Sequence, residues 1–294
     1  AYGKGIFIQG DQSITIGAGQ TAGQTTTVAG DIADMTGSQD PSGQTGAGKV
    51  IVAGSGNVVL SGNNTYTGGT EVQGGTLTVA SNANLGSGAL TLDPTTTVNL
   101  TGLATFTHAI ALNGDPTIEV DSGTTTITDT ISGVGGELVK TGSGTLVLNP
   151  ASGPNTYTGG TTIQGGILEL ATSGAGGTGA ITFGGSNLTL RLDAAPAGGT
   201  FANTITNFAN GDIIDLRSLG FTSTETATLA GGSLTIGNGS ASETLTLSNA
   251  SPVLLIESDG HGGTNVVAFS SLNSAIAAVD AQTSGNFLIE LNGN

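Results

Sequence analysis

The sequence has 294 residues, of which 52 are glycine, 36% are hydrophobic and 4% aromatic, with no cysteine and no tryptophan. That apolar content argues against a disordered chain, so the core must be assembled from many small layers rather than from bulky side chains. Acidic residues number 21 against 5 basic ones, a formal net charge of −16. Lys4, Lys49, Lys140, Arg191 and Arg217 lie far apart, so the clustered cations that a nucleic acid or an anionic lipid surface requires are missing and the acidity reads as solvating charge.

The chain opens with AYGKGIFIQG, which lacks a basic stretch followed by an apolar one, so no signal peptide is expected within it. Without cysteine there are no disulfides and no thiolate zinc site, a composition that fits export as well as the cytosol. The longest apolar runs, such as PVLLIE at residues 252–257, fall well short of the roughly 20 residues a membrane helix needs, and no direct membrane insertion is expected.

Residues 54–69, GSGNVVLSGNNTYTGG, return as GSGTLVLNPASGPNTYTGG at residues 142–160. The Gly-Ser-Gly starts at 54 and 142 are 88 apart and the Asn-Thr-Tyr starts at 64 and 155 are 91 apart, so the second copy carries three more residues in its loop. Insertion is tolerated in the loop and not in the strands, which is the behaviour of a solenoid. KVIVA, NVVLS, TLTVA and ALTLD in the first copy, and TLVLN, ILELA, AITFG and LTLRL in the second, alternate apolar with small polar residues. That period of two predicts half-buried strands, separated by Gly-Gly, Gly-Ser-Gly and Asn-containing corners.

Asn-Gly pairs occur at Asn113, Asn210, Asn238 and Asn292, so hairpins are few and a parallel coil fits better than a meander. The fold predicted is all-β: a right-handed parallel β-helix (solenoid) with a short C-terminal helix. Turns of roughly 20 to 25 residues give about twelve coils and, at about 4.8 Å per coil, a rod about 55–60 Å long. The expected domains are a β-helix over residues 1–195 containing the two repeats, a second β-helix or β-rich module over 196–270, and a helix plus strand over 271–294.

LSGNNTYTGGTEVQGGTLTV at residues 60–79, with its partner ending NTYTGGTTIQGGILEL, resembles the passenger-associated repeat of bacterial autotransporters. Passengers of that family are typically β-helices exported across the outer membrane to the cell surface. The resemblance implies an extracellular location, and it carries architecture rather than a particular activity. The family's translocating β-barrel is not read anywhere in this stretch.

After residue 195 the repeat stops. TFANTITNFANGDIIDLRSLGF at residues 200–221 and ETLTLSNASPVLLIESDGHGGTNVVAF at 243–269 are similar to modules of very large bacterial surface and repeat-toxin-like proteins. Asp212, Asp215, Asp259 and His261 are the one local gathering of metal-competent side chains, and structural calcium there is weighed against solvated turn aspartates bonding their own backbone. The nonapeptide calcium repeat GGxGxD is never written, so no metal or other cofactor is assigned. His108 reads as a strand side chain and His261 as an exposed turn residue. Leu272, Ala275, Ile276 and Val279 share one face of a short helix, a cap over the stack or a junction to a following unit.

No catalytic residue is assigned. A polysaccharide lyase needs cations beside carboxylates and aromatic platforms, and a nucleotide loop needs a helix after its glycines. The nearest acid pair, Asp212 with Asp215, is a common spacing without catalysis. The function expected is a non-enzymatic structural or adhesive module of a bacterial surface protein, presented as a rigid rod. Its partners would be a host or neighbouring-cell surface, surface glycans, or itself. The alternatives are a self-assembling filament or lattice subunit and, third, a polysaccharide-degrading β-helix enzyme. Loops such as NPASGPN at 149–155 are the expected contact points, because solenoids place variation there.

Overall fold

A computed structural model describes residues 5–38, 43–194, 199–222, 224–250, 253–281 and 287–291. The chain divides into two compact units, residues 1–146 with 150–159, and residues 147–149 with 160–294. The expected boundary at 195/196 and the Asn292 pair lie outside the described residues.

The first unit begins with β1 (Ile6–Ile8), β2 (Ser13–Ile16), β3 (Thr25–Val28), β4 (Ile32–Asp34), β5 (Lys49–Val52), β6 (Asn57–Leu60), β7 (Thr70–Val72) and β8 (Thr76–Val79). After a 3-10 turn at Asn82–Asn84 come β9 (Leu90–Leu92), β10 (Thr97–Leu100), β11 (Thr105–Phe106), β12 (Ile110–Leu112), β13 (Thr117–Glu119), β14 (Thr124–Ile127), β15 (Ile131–Ser132), β16 (Glu137–Thr141) and β17 (Thr145–Leu148). One face stacks β2, β5, β7, β9, β12 and β15, a second stacks β3, β6, β8, β10, β13 and β16, and β11 with β14 begin a third. Every pairing within these stacks is parallel.

The turn length is visible in one column. Val50, Thr70, Leu90, Ile110 and Ile131 pair successively, 20 or 21 residues apart. Because side chains alternate across a strand, the inward positions superpose coil on coil. Val52, Val72, Leu92 and Leu112 fill one interior row and Val58, Leu77, Val98 and Ile118 another, all buried. Each such aliphatic side chain stabilises the stack by about 1.5–3 kcal/mol on full burial, which is how a chain poor in aromatics builds a core.

The two copies of the repeat do not occupy the same face. β5 of the first lies in the β2–β15 stack, while its counterpart β16 lies in the β3–β16 stack. The reason is the length of the offset: Leu138, the counterpart of Val50, lies seven residues beyond Ile131, which closes the Val50 column, so the second copy starts one strand further round the coil.

The second unit contains β18 (Gly160–Ile163), β19 (Ile167–Leu170), β20 (Ile181–Phe183), β21 (Thr189–Leu192), β22 (Thr200–Thr206), β23 (Ile213–Leu216), β24 (Thr226–Ala230), β25 (Ser233–Gly237), β26 (Ser242–Ser248), β27 (Val253–Ser258), β28 (Thr264–Phe269), α1 (Leu272–Asp280) and β29 (Leu288–Leu291). β18, β20, β22 and β26 pair in parallel, as do β19, β21 and β23.

From there the pattern changes. β23 pairs antiparallel with β28, β28 with β27, and β27 with β29, while β24, β25 and β26 form an antiparallel meander. The solenoid therefore has about nine turns rather than twelve, because the last stretch leaves the coil. The expectation of few hairpins is also corrected. Gly231 and Gly232, with φ of 57° and 81°, make the two-residue turn between β24 and β25, a conformation that a Gly-Gly pair supplies as well as Asn-Gly does.

α1 is capped by Ser271, whose Oγ accepts the Ser274 N–H at 3.2 Å. Of the four residues expected on one face only Ala275 is buried, and Leu272 and Ile276 remain 40% and 43% exposed. The helix packs on β27 and β28. Among the described residues no helix is long and apolar enough to cross a membrane.

Candidate functional site

The repeated segment is first a device for building coil corners. Asn64 is nearly buried, and its side-chain oxygen accepts the Ile32 N–H at 2.7 Å while the Thr65 N–H donates to the Ile32 carbonyl at 2.8 Å. Asn155 and Thr156 grip Ile131 in the same way, at 2.7 and 2.9 Å. One asparagine thus satisfies a backbone group at the start of a strand in the coil below. Tyr66 and Tyr157 are fully buried, and the Tyr66 hydroxyl lies 2.6 Å from Thr70 Oγ1.

The glycine pair ends the corner. Gly69 and Gly160 have φ of 84° and 102°, and a Cβ on them would lie 2.7 and 2.6 Å from the carbonyl oxygens of Ala89 and Ala180. Those same carbonyls accept the N–H of Thr70 and of Thr161 from the coil below. No residue with a side chain fits that approach.

Asp34 is a corner residue that sequence reasoning missed. Its buried carboxylate accepts the N–H of Gly37, Gly48 and Thr67 and the Thr67 hydroxyl, tying the insertion after β4 to the first repeat. Burial raises its pKa, and the donors, led by Gly37 and Thr67, outweigh that and leave it below the ordinary aspartate value. Nothing in the local sequence DIADMTG announces partners more than ten residues away.

Outward-facing side chains make polar ladders. In the first unit Thr76, Thr97 and Thr117 stand in register, beside Thr78, Asn99 and Glu119. Asn99 Nδ2 donates to Glu119 and to Asp121 at 3.2 and 3.0 Å. Burial, then the charge of Asp121, raises the Glu119 carboxyl. Loop residues 151–154 are exposed above the buried Asn155 and Tyr157.

In the second unit Glu169, Arg191 and Asp215 are in register on β19, β21 and β23. Arg191 bonds Glu169 at 2.8 Å and Asp215 at 2.9 Å, and Arg217 Nε lies 3.4 Å from Asp215. Burial and the neighbouring Glu169 push the Asp193 carboxyl up to about 6, against the pull of Arg217 and Arg191. These guanidiniums sit as struts between strands.

Among the described residues Lys140 is the one cation turned inward. It stacks on Ile118 at the repeat position that Val52 fills in the first copy, and its Nζ donates to the carbonyls of Thr141 and Gly142, each at 2.9 Å. Burial pushes its amine down to about 8, opposed by Glu119.

The four metal candidates do not converge on one site. Asp212 is buried and accepts the N–H of Leu188 and of Ala209 at 3.1 and 3.0 Å. Asp215 serves the arginines. Asp259 closes the β27–β28 turn by accepting the N–H of His261 and of Gly263 at 2.6 and 2.8 Å. His261 is exposed in that turn. His108 lies in the bend between β11 and β12 rather than in a strand, with Nε2 2.7 Å from the Gly86 carbonyl oxygen and its ring 5.3 Å from that of Phe106. Among the described residues no three His, Asp or Glu side chains converge as a metal site would require.

With this geometry in place, two segments, residues 50–79 and 138–170, match the passenger-associated-transport-repeat family model. The chain carries autotransporter passenger repeats. The matched segments begin at Val50 in β5 and Leu138 in β16 and end at Val79 in β8 and Leu170 in β19, so each includes one Asn-Thr-Tyr corner. The chain is also 35% identical over 179 residues to the adhesin BmaC autotransporter of Brucella suis biovar 1 (strain 1330). That alignment covers 60% of this chain and 5% of the longer protein. No solved structure shows significant similarity to the chain.

Proposed function

We propose that this chain is a non-enzymatic, extracellular, adhesin-like module of a larger autotransporter, exported to the bacterial surface and serving there as a stiff presenting stalk. The observation that carries the reading is the fate of the repeat: its Asn, Tyr and Gly residues are consumed in holding coil to coil, which leaves outward threonines, asparagines and loops as the surface offered to a partner. That the aligned relative is named an adhesin supports the same reading. Its partners would be a host or neighbouring-cell surface, or glycans on one, held by many weak contacts whose avidity multiplies along the stack.

The test is attachment. Beads coated with the purified chain should be retained on cell monolayers in excess of beads bearing an unrelated acidic protein, and soluble chain should compete. Equal retention of both bead types counts against adhesion, and release of reducing sugar from surface polysaccharide would favour an enzyme instead.

A second reading, self-association, is favoured by the exposed apolar side chains Leu272, Ile276 and Leu291 near the C-terminal end of the second unit. Light scattering over a concentration series distinguishes it, since a presenting stalk stays monomeric while a lattice subunit grows.

A further inference from the structure

β26 alternates so that Glu243, Leu245 and Leu247 face inward, where they are 3%, 0% and 5% exposed. Glu243 pairs in register with Ile236 of β25, and Leu245 with Leu234, both fully buried. On the other side of β26, Ile205 of β22 pairs with Leu247 and is also buried. A carboxyl group therefore heads an apolar row, at the place where the meander β24–β26 closes over the edge of the parallel sheet.

Its hydrogen bonding is incomplete. Ser218 Oγ donates to Glu243 Oε1 at 2.5 Å, and Oε2 meets no donor. β22 and β25 bring no titratable side chain, and neither does β28. The charged groups of the adjoining segments are each engaged elsewhere: Asp215 with Arg191, Arg217 with Asp215 and Asp193, and Glu225 with the Thr222 N–H and the Thr264 hydroxyl. Among the described residues no cation offsets an ionised Glu243. A neutral acid is tolerated in such a site, whereas a carboxylate with a single hydroxyl donor is not.

We propose that Glu243 is a proton-dependent latch: protonated, it lets the β24–β26 meander close on β22, and ionised, it loosens that meander and uncovers β22 as an open strand edge. Burial, opposed by Ser218, raises the Glu243 carboxyl in agreement with this geometry. The sign follows from linkage. A folded value above the unfolded one gives stability that is complete below the unfolded value and is lost as pH rises through the folded value. The meander is thus the acid-closed part of the second unit.

Amide hydrogen exchange on the whole chain tests this, read at about pH 5 and about pH 8 and corrected for intrinsic exchange. Residues 226–248 of the native protein should lose protection by about tenfold at the higher pH, relative to β18–β21 in the same molecule. Glu243→Gln, which keeps the shape and removes the charge, should abolish that difference and be better protected than the native chain at the higher pH. Ser218→Ala, which removes the one donor to the anion, should enlarge it. Native protection that is equal at both pH values, or an unchanged pH difference in Glu243→Gln, overturns the proposal. So does a Glu243→Gln chain less protected than native at both pH values, since that is the signature of a purely structural hydrogen bond.

Discussion

The side-chain oxygen of Asn64 accepts the backbone N–H of Ile32 at 2.7 Å, and 91 residues later Asn155 does the same for Ile131. The repeated word in this sequence is thus a clamp between successive coils. Asn64→Ala leaves the Ile32 N–H and the Asn84 carbonyl without their partner. It should cost about 1–3 kcal/mol, measured by urea denaturation, while Asn64→Asp, which keeps the acceptor and loses the donor, falls between.

Asp34 sets an acid limit on the first unit. Its folded pKa lies below the unfolded value, so its contribution is complete above the unfolded aspartate value of 3.8 and is lost as pH falls through the folded one. Thermal melts below about pH 4 should show a falling Tm in the native chain and a smaller pH slope in Asp34→Asn, which should already be less stable at neutral pH.

Lys140 works in the opposite direction. Its folded pKa of about 8 lies below the ordinary lysine value of 10.5, so its cost is present at neutral pH and stability should rise as pH climbs through that window. Lys140→Met keeps the length and removes the charge, and should gain about 1–3 kcal/mol at neutral pH with a flat alkaline profile in urea titrations. A loss of stability would mean that the contacts to the Thr141 and Gly142 carbonyls outweigh desolvation.

Calcium should change nothing. Asp212 is committed to two backbone N–H groups, Asp215 to arginines and Asp259 to its own turn. Calorimetric titration with calcium should give no heat beyond dilution, and Tm should be the same with and without a chelator.

The coil was legible because its two signals are local and redundant. Alternation in KVIV, NVVL and TLTV fixes which side chains point inward, and the 88- and 91-residue offsets fix the period of the unit. The role of the Asn-Thr-Tyr corner was not legible, since nothing in the string says that Asn64 reaches Ile32. The antiparallel end was misjudged for a different reason. TATLAGGSLTIG forms two strands about a Gly-Gly turn, a hairpin signal that Asn-Gly pairs do not reveal. The helical period of Leu272, Ala275, Ile276 and Val279 was legible, but it does not say which of them is covered, and only Ala275 is buried. Asp34 and Glu243 escaped because their character is set by distant groups, a glycine corner in one case and an apolar row in the other.

The stacking of coils is tested most directly by paired cysteines, since the native chain has none. Thr78 and Asn99 are parallel register partners on β8 and β10, both facing outward. The double substitution Thr78→Cys with Asn99→Cys should form an intramolecular disulfide on mild oxidation, with the chain still folded, because adjacent strands lie about 4.8 Å apart. Thr78→Cys with Glu119→Cys, two coils apart, should stay reduced. Efficient cross-linking of the second pair and none of the first would contradict a solenoid of roughly 20-residue turns.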